Sequence, residues 1–266
     1  AAIDSHGNVY QWGEAFWQHS GIFGTFYPVC TLKGRNCVAI RANPGGVYAI
    51  AGDGSVIAMD LDASKQPQQV TLPADVNERI IDIQAGENHL MALGAQGTVF
   101  TAATNRFGNI FGQLGRGPTD STRRALDQLQ HPSLLPDAIM SVISKWPHQD
   151  KVVEEEAVTQ DPRSTSSESL FADIYLEPVE SQWWGGAGRP IQIAAGDHHS
   201  LVLTDHGHVY GFGSNEMLQL GLGEYDPNKA INAYPVEVIK PDLSSAERCT
   251  FIAASSESSY FVMDSP

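Results

Sequence analysis

Ile193-Ala194-Ala195-Gly196-Asp197-His198-His199-Ser200-Leu201-Val202-Leu203-Thr204-Asp205-His206-Gly207-His208-Val209-Tyr210-Gly211-Phe212-Gly213-Ser214-Asn215, closed by Gln219-Leu220-Gly221-Leu222-Gly223, recurs along the chain, and the recurrence decides the fold. Ile83-Gln84-Ala85-Gly86-Glu87-Asn88-His89-Leu90-Met91-Ala92-Leu93 falls on it in register, followed by Gln96-Gly97-Thr98-Val99-Phe100, Asn105 and Gly112-Gln113-Leu114-Gly115-Arg116-Gly117. Fainter copies keep the phase at residues 3–13, at 40–50 with Asp53-Gly54-Ser55-Val56-Ile57, and at 251–264. Anchored on the glycines Gly7, Gly54, Gly97 and Gly207, with Pro266 in the equivalent place, the intervals are 47, 43, 110 and 59 residues. A period in the forties marks a repeat fold, and the interval of 110 requires an extra segment inside it.

Each unit reads as a small antiparallel sheet. A short apolar strand, Leu201-Val202-Leu203, meets a turn at Asp205-His206-Gly207 and continues as an alternating strand through Val209, Tyr210 and Phe212. X-Gly between apolar runs is a hairpin signal, because glycine accepts the positive φ of a tight turn. Gly54, Gly86, Gly97, Gly196, Gly207, Gly213 and Gly221 are therefore expected to serve backbone geometry and close packing. One such unit cannot bury both faces of its sheet, so neighbours must stack on it. The expected fold class is all-β, a β-propeller of four-stranded blades.

An apolar-Ala-Gly run, a His-Ser step, an apolar triplet, Asp-X-Gly, Val-Tyr, Phe-Gly-X-Asn and Gln-Leu-Gly-X-Gly together resemble the regulator of chromosome condensation repeat. That family forms seven-bladed propellers. The resemblance is fullest over 193–223, close over 83–117, and partial over 1–13, 40–59 and 251–266; no Trp-Asp dipeptide of the other propeller type of this period occurs. The resemblance implies about four repeat units where a ring needs about seven. The chain is thus expected to be a fragment of a longer protein, or one whose open ends partner chains cover.

Composition agrees with a globular β protein: 42% hydrophobic residues, 25 glycines and 15 prolines. No run approaches the roughly 18 apolar residues that a membrane-spanning helix requires. Three cysteines, Cys30, Cys37 and Cys249, lack paired metal spacing and favour a reducing compartment over a disulfide framework. Sixteen basic residues against thirty-one acidic ones give a net charge of −15, the wrong sign for a surface that neutralises phosphates. No direct nucleic-acid binding is expected of this segment.

The long interval divides the chain into propeller repeats at 1–117, an insertion at 118–189 and further repeats at 190–266. Within the insertion, 120–129 and 136–146 read as short helices, the second carrying Ile139, Val142, Ile143 and Trp146 on one stripe. Residues 148–182 hold nine acidic side chains against Lys151 and Arg163. This acidic stretch, with Glu154, Glu155 and Glu156 at its head, suits a solvated arm for a basic partner. Phe171, Ile174, Tyr175, Leu176, Trp183 and Trp184 interrupt it with apolar anchors of the kind that concentrate binding energy. Trp146, Glu154, Glu155, Glu156, Phe171, Tyr175, Trp183 and Trp184 are accordingly the expected partner-binding set.

Signs of chemistry are few. His198, His199, His206 and His208 suggest a metal cluster, but His199 and His89 fall on one repeat position and His206 and His6 on another, which makes them parts of a blade. Gly185-Gly186-Ala187-Gly188-Arg189 shares only its glycines with a phosphate loop; Pro190 follows, not Lys-Ser or Lys-Thr. No nucleophile elbow or zinc signature occurs. The expectation is a non-enzyme without catalytic, cofactor or metal site. Two functions fit the resemblance. One is an interaction scaffold or assembly factor, like relatives outside the nucleus implicated in building ribosomes or respiratory complexes in mitochondria. The other is the family's founding activity, guanine-nucleotide exchange on a small GTPase. The partners expected are proteins, either a large complex or a small GTPase; fold alone does not choose.

Overall fold

The computed structural model describes residues 1–12, 29–61, 65–105, 107–117, 174–239 and 248–264. Within them, five antiparallel sheets follow one another along the chain. The first holds β1 (Ala2–Ile3), β2 (Val9–Gln11) and β3 (Val29–Leu32); the second holds β4 (Ala39–Asn43), β5 (Gly46–Ile50), β6 (Val56–Asp60) and β7 (Gln68–Gln69). The third is built of β8 (Ile80–Ala85), β9 (His89–Gly94), β10 (Val99–Ala103) and β11 (Glu177–Pro178). In the fourth are β12 (Pro190–Ala195), β13 (His199–Thr204), β14 (Val209–Ser214) and β15 (Ile231–Ile239), and in the fifth β16 (Arg248–Ser255) and β17 (Ser258–Asp264). Strands pair in sequence order, so every sheet is an up-and-down blade of a propeller.

Turn chemistry fixes the hairpins. Gly7, Gly54, Gly97 and Gly207 sit at φ of 72°, 86°, 90° and 84°, the left-handed region that a side chain resists. The register that follows pairs Leu203 with Val209 and Leu93 with Val99. The second strands β5, β9 and β13 are buried at every residue, because a sheet covers each of their faces. That sandwiching explains why they read as unbroken apolar runs instead of alternating ones.

The core lies between blades. β8 packs across β4 and β5, β12 across β8 and β9, and β16 across β12 and β13. Four apolar clusters fill the four joints; one gathers Tyr48, Ile50, Ile83, Leu90 and Phe100, another Met91, Val99, Ile193, Val202 and Phe212. Each such side chain contributes roughly 1.5–3 kcal/mol on burial, so no blade is stable apart from its neighbours.

The propeller resumes earlier than the sequence suggests. The insertion was expected to run to 189, yet Glu177–Pro178 is the fourth strand of the third blade, and Tyr175 bridges Thr71. Ile174 and Leu176 are buried against Tyr48 and Phe100. Residues 174–189 therefore belong to the blades: their apolar side chains fill the joints on either side of the third blade. The helices expected at 120–129 and 136–146, and the acidic residues before 174, lie outside the described residues. Among the described residues the only helical turns are two 3-10 segments, Ser181–Trp184 and Pro227–Lys229.

Candidate functional site: the blade joints and the rims around them

Polar repeat residues meet across the joints. His89 is buried, and its Nε2 lies 2.9 Å from Ser200 Oγ in the next blade; His199 Nε2 lies 2.9 Å from Ser259 Oγ in the blade after. Ser200 Oγ donates to the Gln113 carbonyl at 2.9 Å, so its proton is committed and His89 must donate through Nε2. A serine activated for attack would need the reverse arrangement, with the imidazole accepting the hydroxyl proton. The pair is thus a buried strut. Burial holds the imidazoles neutral, with the pKa of His89 lowered to about 3 and that of His199 to about 4; Asp197 partly offsets the shift of His199.

The glycines of the His-Ser motif leave room for the rings. A Cβ on Gly86 would stand 2.1 Å from His89 Cε1 and 2.5 Å from the Gly196 carbonyl oxygen, and Gly196 meets His199 and Ser256 in the same way. Backbone bonds continue the joint: Glu87 N–H donates to Asp197 O at 3.0 Å and Asp197 N–H to Ser256 O at 2.8 Å. Loops repeat with equal fidelity. Asn109 Oδ1 accepts from Leu114 N as Asn215 Oδ1 does from Leu220 N, and Gln113 and Gln219 accept from Phe111 N and Met217 N. Gly213 is crowded by the His198 carbonyl, whereas Gly221 faces open space.

His198 is different. Its Nε2 lies 3.1 Å from the Glu87 carboxylate and its ring stacks on Phe111 at 4.4 Å. Glu216 stands close by, its pKa raised by burial, with His198 opposing the shift and Glu257 adding to it. His208 pairs with Glu237 at 2.6 Å, and His206 stays exposed near Asp205. The four histidines do not converge, and among the described residues no three His, Cys, Asp or Glu side chains form a metal-ligating group. Two open grooves, of about 630 and 520 Å³, flank Gly54–Arg79 and Gly97–Arg189 at equivalent joints. Their repetition makes them features of the blade.

The expected partner-binding residues separate. Trp146, Glu154, Glu155, Glu156 and Phe171 lie outside the described residues. Tyr175 is 44% exposed and remains available. Trp184 is 4% exposed, packed edge-on against Tyr210 in the joint between the third and fourth blades, and its place in that set is corrected to core. Trp183 leans on Tyr234, with ring centroids 5.3 Å apart. Glu177, counted within the acidic arm, pairs with the half-buried Arg116, whose pKa burial lowers to about 10.

One set of residues escaped the sequence reading. Arg79, Arg189 and Arg248 occupy one repeat position, four residues before Ile83, Ile193 and Ile252. Each lies over the turn glycine of the preceding blade, Gly54, Gly97 or Gly207. The signal was present in that spacing, but an alignment anchored on glycines passes over it.

Comparison with known proteins agrees with this architecture. The family model described as the regulator of chromosome condensation (RCC1) repeat matches residues 191–219. The ultraviolet-B receptor UVR8 of Arabidopsis thaliana is 26% identical over 88% of this chain and 54% of its own length. The guanine nucleotide exchange factor SRM1 of Saccharomyces cerevisiae is 21% identical over 86% of the chain and 54% of its own length. The crystal structure of Prp20p from Saccharomyces cerevisiae, described with its binding to Gsp1p and histones, superposes on 99% of the chain at a TM-score of 0.62 and 17% identity. The chain spans about half the length of each of these proteins.

Proposed function

We propose that this chain, which carries the regulator of chromosome condensation (RCC1) repeat over residues 191–219, is a protein-interaction propeller, a non-catalytic scaffold or assembly factor within a larger complex. One observation carries the reading: the residues that most suggest chemistry, His89, Ser200 and His199, are sealed inside the joints with the Ser200 proton already committed. What such a molecule offers a partner is its surface. Tyr175 at the third blade supports placing a contact where the chain re-enters the propeller after the acidic stretch. The acidity of residues 148–173 suits a basic protein surface, and a mitochondrial assembly is the setting we assign to it.

Exchange on a small GTPase is the second reading, supported by the named activity of the relative SRM1. An exchange factor works by binding the nucleotide-free GTPase more tightly than the loaded one, so GTP must release it. The test is affinity purification of the tagged full-length protein beside a form lacking 118–173, with mass spectrometry of the recovered proteins. A set of complex subunits that vanishes with the deletion supports the scaffold. A small GTPase held from nucleotide-free lysate and released by GTP replaces it with the exchange factor.

A further inference from the structure

Exposed aliphatic side chains form a row along the first strands of three consecutive blades. Val38, Ile81 and Ile191 share one repeat position and are 61%, 53% and 44% exposed. Ile81 and Ile191 are the extra residues of matching β-bulges, where the register skips from Ile80 to Asp82 and from Pro190 to Gln192. A bulge re-aims a side chain that a regular strand would carry elsewhere. Four-stranded blades pack on both sides of the blade that carries Ile81, so its exposure is not that of an open end.

Cations stand beside this row. Arg79 and Arg189 come two residues before Ile81 and Ile191, and Arg248 takes that place in the next blade. Arg79 Nη2 donates to the Gly52 carbonyl at 3.1 Å and Arg189 Nη1 to the Ala95 carbonyl at 3.5 Å. None of the three pairs with a carboxylate among the described residues. Three carboxylates at this end keep their charge but are oriented by backbone N–H groups of the turns: Asp53 accepts from Ser55 N, Glu78 from Gln96 N and Asp205 from Arg189 N. In a chain of net charge −15, guanidiniums without a carboxylate partner among the described residues stand next to exposed aliphatics at Arg79 and Ile81 and at Arg189 and Ile191, an arrangement complementary in charge to an acidic ligand.

We propose that this rim is a docking strip for an extended, acidic, aliphatic-bearing segment of a partner protein. Packed sheets stand about 10 Å apart, and a polyproline-II segment advances about 3.1 Å per residue with three residues per turn, so every third residue faces the same side. A segment crossing the blades therefore meets Val38, the Arg79 and Ile81 pair, the Arg189 and Ile191 pair and then Arg248 at steps of about three residues. Carboxylates bind the guanidiniums and aliphatic side chains cover Val38, Ile81 and Ile191. The strip serves a scaffold and an exchange factor alike, so it does not depend on which of those readings holds.

The experiment is a fluorescence titration of the full chain with a labelled peptide of four copies of Asp-Ile-Ser. Controls are the same peptide with Lys for Asp, the same with Ser for Ile, and a single-stranded DNA of equal length. The Asp-Ile-Ser peptide alone should bind, more weakly as salt rises. Its affinity should fall about tenfold or more in the double variant Ile81→Gln/Ile191→Gln and in Arg79→Gln/Arg189→Gln. The isoleucine variant changes only exposed side chains and should melt at the unaltered temperature, which separates loss of docking from loss of fold. No binding of the Asp-Ile-Ser peptide, equal binding of the Ser-substituted peptide or the DNA, or unchanged affinity in the isoleucine variant would overturn the proposal.

Discussion

The joint between the second and third blades and the joint between the third and fourth do the same work with different residues. In the latter, Glu87 N–H reaches the carbonyl of Asp197, and the ring of His89 reaches Ser200. In the former, the residue aligned with Glu87 is Pro44, which has no N–H to give. The neighbouring Asn43 supplies the missing donor from its side chain, Nδ2 to the Gly86 carbonyl at 2.9 Å, and Gly46 stands where the histidine would be. The joint thus selects for a donor directed across it, and residue identity is secondary. This is why the repeat can decay in sequence while its phase holds.

The largest expected break falls at the stringent joint. Gly86→Ala places a methyl group against a buried imidazole and a carbonyl oxygen that cannot both move, and should cost on the order of 4 kcal/mol or more, read as a collapse of the melting temperature. Asn43, at the aligned position, already carries a side chain, so the same measurement should find far less sensitivity there.

Acid should act nearly as strongly, through the histidine joints. Both imidazoles have folded pKa values below the ordinary 6.5, at about 3 and 4, so the unfolded chain takes up protons that the folded chain refuses. Stability is therefore unaffected above the unfolded value and is lost as pH falls through it toward the folded values. Between pH 7 and pH 5 the two together should remove about 4 kcal/mol, measured by urea unfolding at each pH. His199→Ala sharpens this: a cavity and a lost hydrogen bond should cost about 2 kcal/mol at pH 7, while about half of the acid sensitivity disappears.

A smaller effect tests the substitution of donors itself. Asn43→Ala should cost about 1 kcal/mol. Restoring the backbone donor with Pro44→Ala should make that loss smaller in the double variant than in the single one. A cycle that adds without coupling would mean that Asn43 and residue 44 do not share a role. Ile81→Gln, on the exposed bulge, should change stability by less than about 0.5 kcal/mol.

Much of the fold was legible because its constraints are local. A turn glycine at positive φ has few substitutes, so Gly7, Gly54, Gly97 and Gly207 stay visible after their surroundings have drifted. Paired recurrence likewise identified His89 and His199 as blade positions without any view of their partners. The end of the insertion was hidden, because Ile174, Leu176 and Trp184 are apolar whether they face a partner or a joint. β11 was hidden for another reason: a two-residue strand of Glu177 and Pro178 has neither alternation nor β propensity, and tertiary pairing with Phe100 and Thr101 alone defines it. The arginine row went unread because its meaning lies in what it covers, the glycine of another blade.

The conspicuous polar repeat residues, His89, Ser200 and His199, are architecture. The most direct test is an NMR titration of the histidine rings in the intact protein, following the nitrogen shifts of His89 and His199. Both should remain neutral down to about pH 5, with the proton of His89 on Nε2 and no response to added zinc. Titration near pH 6.5, or a shift on adding zinc, would contradict it and return these histidines to the list of reactive groups.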